Sequence, residues 1–254
     1  MSLSATRWRV LLLRVAIVVV ILAAWEVVAA SGWLFRDVVP SLTAIGAAVA
    51  RLLVTPEFYA NLGVTALEVG TALAIGGVAG LATGILLGGS RYLSQAFESL
   101  LLYLGPTPKI IFFPVMIMWF GVGSGSKIAM GAISCFFPVA ISAAAGMRQI
   151  DDVLIRVGRS FRASSAQMVT KIYLPAMRAP VVNGIRLGLG VAIIGTLLAE
   201  TKLSNRGLGY LVIQAYSLFD MPRMYALLIV LFVLAIGVNA LIGRFGRAEP
   251  VGGR

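Results

Sequence analysis

Histidine is absent from the 254-residue sequence, and cysteine occurs once, as Cys135. Without histidine the chain lacks the side chain that most often serves as general base or metal ligand near neutral pH. One thiol cannot close an intrachain disulfide, so the redox compartment stays open. Charge is also scarce: charged residues make up 12% of the chain, and 10 acids face 21 bases. No carboxylates cluster within the apolar stretches, which leaves a membrane enzyme little for acid–base chemistry. No catalytic residue and no metal site are therefore expected. A phosphate-cradling loop of the form G-x-x-x-x-G-K-[ST] is missing; GVGSGSK at Gly121–Lys127 comes nearest, in the wrong order and in an expected outer turn. The chain is thus not expected to hydrolyse ATP or to carry a cofactor of its own.

What is present is apolar sequence: 59% hydrophobic residues and a mean hydropathy of +0.96. Several runs approach the roughly 20 apolar residues that cross a bilayer core. No polar block is long enough for a second fold, so an all-α polytopic membrane protein with one transmembrane domain, 1–254, is expected. Six spans fit best, at about 10–31, 62–89, 99–121, 127–147, 180–200 and 222–243. The first run is longer than the roughly 7–15 residues of a signal-peptide core and is read as a retained helix. Outer-side loops are expected at 32–61, with a short interfacial helix around AIGAAVARLL, and at 200–222, partly helical.

A net charge of +11 would suggest nucleic acid in a soluble protein. Here most cations fall in short loops on one side, from Arg7, Arg9 and Arg14 through Arg91, Arg148 and the 156–186 region to Arg244, Arg247 and Arg254. Fewer, among them Arg36, Arg51, Lys127, Lys202, Arg206 and Arg223, fall on the other. The asymmetry places both termini in the cytoplasm and excludes nucleic acid as a partner in favour of lipid.

Within the spans, Gly76, Gly80, Gly84 and Gly88 recur every fourth residue, and Gly184, Gly188 and Ala192 repeat the pattern. Such strips let a second backbone approach closely, within the chain or across a dimer. The third span carries Pro106, Pro108 and Pro114, and broken helices at membrane depth need protein or water to satisfy the freed carbonyls. It is either a kinked packing helix or a lining of the translocation path. Lys109 is the clear intramembrane cation, able to attract an anion or to snorkel. Met116, Met118 and Trp119, beside Pro114, are either core packing or a deformable plug. Glu200 is expected to fix the outer loop after the fifth span, with direct substrate contact as the alternative.

The segment 150–175 is basic, Ser-rich and ends in proline. Leu154, Val157, Phe161, Met168 and Ile172 fall on one helical face, with Arg156 and Arg159 opposite. Asp151 or Asp152 can cap the first turn, and Ser164 with Gln167 has the form of a capping box. Two short helices with a bend at Arg162–Ala163 follow, with Pro175 as the stop. Such an element either rests on anionic headgroups or docks on another protein.

This segment resembles the EAA loop of ABC importer permeases. VGRSF followed by AS, then LP, NGIRLGLG and AE…GLGYL, with WFGVGSGSK in the turn before the fourth span, are similar to the nitrate/sulfonate/taurine branch over about 60–245. The chain departs from the family pattern at the name-giving triplet, where Arg156, Val157 and Gly158 stand, and at the loop glycine, where Arg162 stands. The resemblance implies a type I ABC importer permease-like fold with cytoplasmic coupling helices. It implies an ATPase-coupling loop carried by Arg156, Gly158, Arg159, Ser160, Phe161, Arg162, Ala163, Ser164, Leu174 and Pro175. It further implies a cytoplasmic ATPase dimer holding ATP and Mg, a second copy of this chain, an extracytoplasmic substrate-binding protein and a bacterial inner-membrane location. The path candidates are Lys109, Pro114, Met116, Met118, Trp119 and Glu200. Substrates of the branch include sulfonates, taurine, nitrate and aromatic acids. An autonomous secondary transporter or channel is the alternative, though no internal repeat or acidic relay supports it.

Overall fold

The structure, a computed structural model, describes residues 3–32 and 38–245. Residues 33–37 of the expected outer-side loop, with Arg36, and the terminal Arg247 and Arg254 lie outside the described residues. The described residues are predominantly helical, with no strand among them.

The helices group into two compact units. The first holds residues 1–59 and 211–231. Its α1 (Leu3–Ser31) contains a 24-residue apolar run from Trp8 to Ser31, none of it buried against protein, as a lipid-facing span requires. The expected interfacial helix is α2 (Leu42–Val54), with Ser41 as N-cap and Ile45, Ala48 and Leu52 on its buried face. Glu26 supplements that cap, because Leu42 N donates to Glu26 Oε2 at 2.9 Å. Trp25 Nε1 donates to Pro40 O at 3.0 Å, and its ring meets Tyr225 edge-on.

The second unit holds residues 60–210 and 232–254 and contains most of α3 (Pro56–Gly89), α4 (Arg91–Leu104), α5 (Phe113–Phe120), α6 (Ser124–Arg148), the segment 151–177, α10 (Arg178–Lys202) and the end of α12 (Met221–Phe245). α6 lies at its centre. The glycine strip of α3 packs on one side of α6: a Cβ on Gly80 would lie 2.6 Å from Phe136 O, and one on Gly84 2.6 Å from Ala140 O. The strip of α10 packs on the other, with Gly188 against Cys135 and Val139. Both strips therefore serve packing within the chain, and α6 buries Met130, Cys135, Val139, Ala140, Ala143 and Met147 between them.

The expected third span, 99–121, is not one helix. α4 and the stretch Lys109–Phe120 meet at 91°. Pro106 and Pro108 deny the chain the donors a continuous helix needs at that point. Lys109 Nζ donates to the carbonyls of Gly105 and Thr107 and sits 4.7 Å over the Phe137 ring. The cation thus satisfies oxygens that the break exposes.

Candidate functional site

Two features of the second unit stand out: a short helical hairpin at one end and a buried polar cluster at the other.

The hairpin begins at α7 (Asp152–Ser160), where Asp151 caps the first turn by accepting from Val153 N at 2.8 Å. α7 closes with Arg162 N donating to Arg159 O at 2.9 Å and Ala163 N donating to Gly158 O at 3.0 Å. This is a Schellman closure, with Arg162 at φ +52° in the position that glycine ordinarily fills. The bend expected at Arg162–Ala163 is present, and it is left-handed. Ser164 then starts α8 (Ser165–Gln167) with both arms of a capping box in place.

Pro175 does not stop the helix, contrary to expectation. A π-helical turn, Met168–Tyr173, leads directly into α9 (Leu174–Ala176). The wider turn accommodates a ring that would clash in α-geometry. The chain breaks only at Met177, before α10.

The expected apolar face of the segment divides in two. Gly158 is buried because the return arm lies on it; a Cβ there would meet Ile172 and lie 2.6 Å from Met168 Sδ. Val153, Leu154 and Val157 are about half exposed, and Phe161 is 83% exposed. Arg156 and Arg159 line a cavity on another side of α7. Arg162 and Ser164 are exposed, Ala163 and Leu174 half-buried and Pro175 exposed. Ser160 Oγ donates to Val157 O at 2.8 Å within its own turn.

At the opposite end, Glu68, Lys127 and Glu200 are each at least 98% buried. Glu200 Oε1 accepts from Thr65 Oγ1 at 2.7 Å, and Oε2 accepts from Gly209 N at 2.6 Å. Thr65 Oγ1 accepts in turn from Leu208 N at 2.8 Å, and Asn61 Oδ1 from Gly207 N at 2.7 Å. Lys127 Nζ donates to Leu203 O at 2.9 Å and to Val122 O, and its charge acts on both glutamates. Glu68 adjoins Glu200, and its Oε2 has no hydrogen-bond partner. The loop before α11 (Leu208–Ser217) is thereby fastened to α3, α6 and α10. Gly207, at φ +103°, and Gly209 have no room for a Cβ beside the Glu200 carboxylate, which accounts for the GLG of this loop.

Lys127, expected in a turn, lies in the first turn of α6 and is buried, and Glu68 and Glu200 adjoin each other where no cluster of carboxylates was expected. The signal was present in the register. Glu68 precedes Ala72 and Gly76 by whole steps of four, Glu200 continues Gly188, Ala192 and Thr196, and Lys127 precedes Gly131 and Cys135. Each charge extends a strip that packs against α6 or belongs to it.

The structure does not gather the other path candidates into one site. Met116 is buried with Phe113, Met130 and Ala199. Pro114 is exposed, and Met118 and Trp119 are 84% and 72% exposed near the end of α5. Lys109 is engaged by carbonyls and a ring, as above.

Residues 76–248 match the family described as binding-protein-dependent transport system inner membrane component. The chain belongs to this family. The permease is 31% identical to the aliphatic sulfonates transport permease protein SsuC of Bacillus subtilis (strain 168), over 85% of its length and 78% of that protein. It is 33% identical to the taurine transport system permease protein TauC of Escherichia coli (strain K12), over 64% of its length and 60% of that protein. Its fold matches a chain of the MetNI methionine ABC transporter in an inward-facing form, with a TM-score of 0.64 and 21% identity, over 74% of this chain and 93% of that one. The fold is that of an ABC importer permease.

Proposed function

We propose that this permease forms a homodimer in a bacterial inner membrane, with both termini cytoplasmic, and imports a small anion such as a sulfonate, taurine, nitrate or an aromatic acid. An extracytoplasmic binding protein delivers the substrate, and a cytoplasmic ATPase dimer, which holds ATP and Mg, drives the change between inward-facing and outward-facing states. The permease itself is not an enzyme. The observation that carries this reading is the exposed apolar row of Val153, Leu154 and Val157 on α7 with Phe161 at its C-cap. These side chains stand on a helix outside the spans, and an exposed apolar row on such an element marks a docking surface.

Closure of the ATPases would push on α7, and the packing of Gly158 under Met168 and Ile172 would pass that push to α10 through the return arm. The outer loop pinned by Glu200 would move with α10. The anion preference is supported by the sulfonate and taurine transporters named above and by the excess of basic residues.

Co-expression with a candidate ABC ATPase subunit tests the proposal. The wild-type permease should co-purify with the ATPase and support vanadate-sensitive hydrolysis, and Val157→Asp/Phe161→Asp should lose both while keeping its own melting profile. Retention of the ATPase by that double variant would overturn the docking surface. Transport by the permease alone on an ion gradient would overturn the ATP-driven reading in favour of a secondary transporter.

A further inference from the structure

Beside α7, on another side from its apolar row, lies a cavity of about 690 Å³. Its walls carry Arg91, Arg148, Arg156 and Arg159, with Asp152 as the only carboxylate among the lining residues. Arg148 is paired with Glu98 at 2.7 Å, and that carboxylate also accepts from Ser94. Among the described residues, Arg91, Arg156 and Arg159 form no ion pair. Four guanidiniums thus face two carboxylates around one space, which leaves an excess of positive charge there.

The choice of residue is informative. Guanidinium is the side chain that recognises phosphate oxygens through paired donors, and a ring of them is matched to a dianion or a phosphodiester rather than to a lone carboxylate. Ser90, the N-cap of α4, and Arg91, its first residue, bring the positive end of that helix to the same wall. Other lining residues are apolar: Gly88, Gly89 and Met147 stand at the ends of the apolar spans α3 and α6, and Ile150 lies just beyond α6. An occupant must therefore be anionic on one side and adjoin the hydrocarbon boundary on the other. Basic pockets between transmembrane helices, at the level where spans meet water, are fitted to acidic phospholipid headgroups.

We propose that the cavity walled by Arg91, Arg148, Arg156 and Arg159 binds the phosphate of an anionic phospholipid headgroup. The bound lipid neutralises the guanidiniums and fixes α7 against the ends of α3 and α6, so that a push on α7 moves helices instead of tilting α7 alone. Assignment to the inner leaflet rests on the orientation in the function proposed above; the phosphate chemistry does not.

The test uses the full-length permease without any ATPase, so its outcome is independent of the docking surface. The protein is reconstituted in phosphatidylcholine nanodiscs, with and without phosphatidylglycerol, and its melting temperature is read. Phosphatidylglycerol should raise the melting temperature, high salt should diminish the rise, and Arg91→Gln/Arg159→Gln should abolish it. Native mass spectrometry should show at least tenfold less phosphatidylglycerol retained by that variant. Arg14→Gln, which alters a cation outside the cavity, should behave as wild type. An equal loss with Arg14→Gln would reduce the effect to general surface charge and overturn the site. A full rise in pure phosphatidylcholine on adding inorganic phosphate would assign the cavity to a soluble anion and overturn the lipid. If the double variant does not fold, Arg91→Lys/Arg159→Lys, which keeps the charge but not the paired donors, should still weaken the response; an unchanged response there would also overturn the proposal. Retention of an acidic ATPase peptide in the cavity in place of lipid, seen by cross-linking in the complex, would overturn it as well.

Discussion

Gly209 N donates to Glu200 Oε2 at 2.6 Å, closing a nine-residue loop around a carboxylate with no solvent exposure. A buried carboxylate is tolerable only when its oxygens are met, and here Thr65 Oγ1 meets the other one at 2.7 Å. Removing Glu200 leaves the buried Gly209 amide and the Thr65 hydroxyl without their acceptor. Glu200→Ala should lower stability by about 1–3 kcal/mol for each buried donor left unsatisfied. Thermal unfolding in detergent checks this, and limited proteolysis should then cut first within 203–209.

Lys127 is the counter-charge. Lys127→Met preserves length and packing but leaves two buried glutamates facing each other and Leu203 O without its donor. It should be strongly destabilising, whereas Lys127→Met combined with Glu68→Gln should recover part of the loss. The coupling is read from a double-mutant cycle, which should give an interaction term in the range of about 0.5–3 kcal/mol. Additive losses would show that Glu68 and Lys127 act separately.

How much of this was legible in the sequence depends on the kind of constraint. Spans were legible because bilayer thickness sets a length that apolar runs must reach, and a disturbance near Pro106 was legible because proline removes donors regardless of context, but the division of 99–121 into two helices at 91° was not. The capping box at Ser164 and the packing of Gly80 and Gly84 are local patterns with local causes. The Lys127–Glu68–Glu200 cluster was missed because its members lie on three helices. Leu203, whose carbonyl Lys127 reaches, is 76 residues away in the chain. GVGSGSK looks like a polar turn until α6 is seen to begin at Ser124 and carry Lys127 inward. Pro175 misled for the opposite reason: the rule that proline ends an α-helix holds, but a π-turn admits it.

Close helix approach makes the next expectation position-specific. A Cβ on Gly84 would lie 2.6 Å from Ala140 O on α6, whereas one on Gly77 meets nothing within 4 Å. Gly84→Leu should separate α3 from α6 and cost more than the roughly 1–3 kcal/mol typical of overpacking, because backbone must move. Gly77→Ala should be neutral or stabilising by up to about 1 kcal/mol, from helix propensity alone. Expression level and melting temperature of the two variants check the contrast.

Arg162 holds φ +52° at the close of α7, a conformation costing an L-residue roughly 1–2 kcal/mol. Glycine there relieves the strain without disturbing the two amides that form the closure. Arg162→Gly should therefore raise the stability of the hairpin by about 1 kcal/mol, and Arg162→Val, whose branched Cβ tolerates this backbone worst, should lower it. The two substitutions remove the same charge, so a change in ATPase coupling common to both reports the guanidinium. A change confined to valine reports the turn. Hydrogen exchange at Ala163, whose amide spans the closure to Gly158 O, is the direct readout: slower in the glycine variant and faster in the valine variant. If valine protects that amide as well as arginine does, the left-handed turn is not what holds α7 against its return arm.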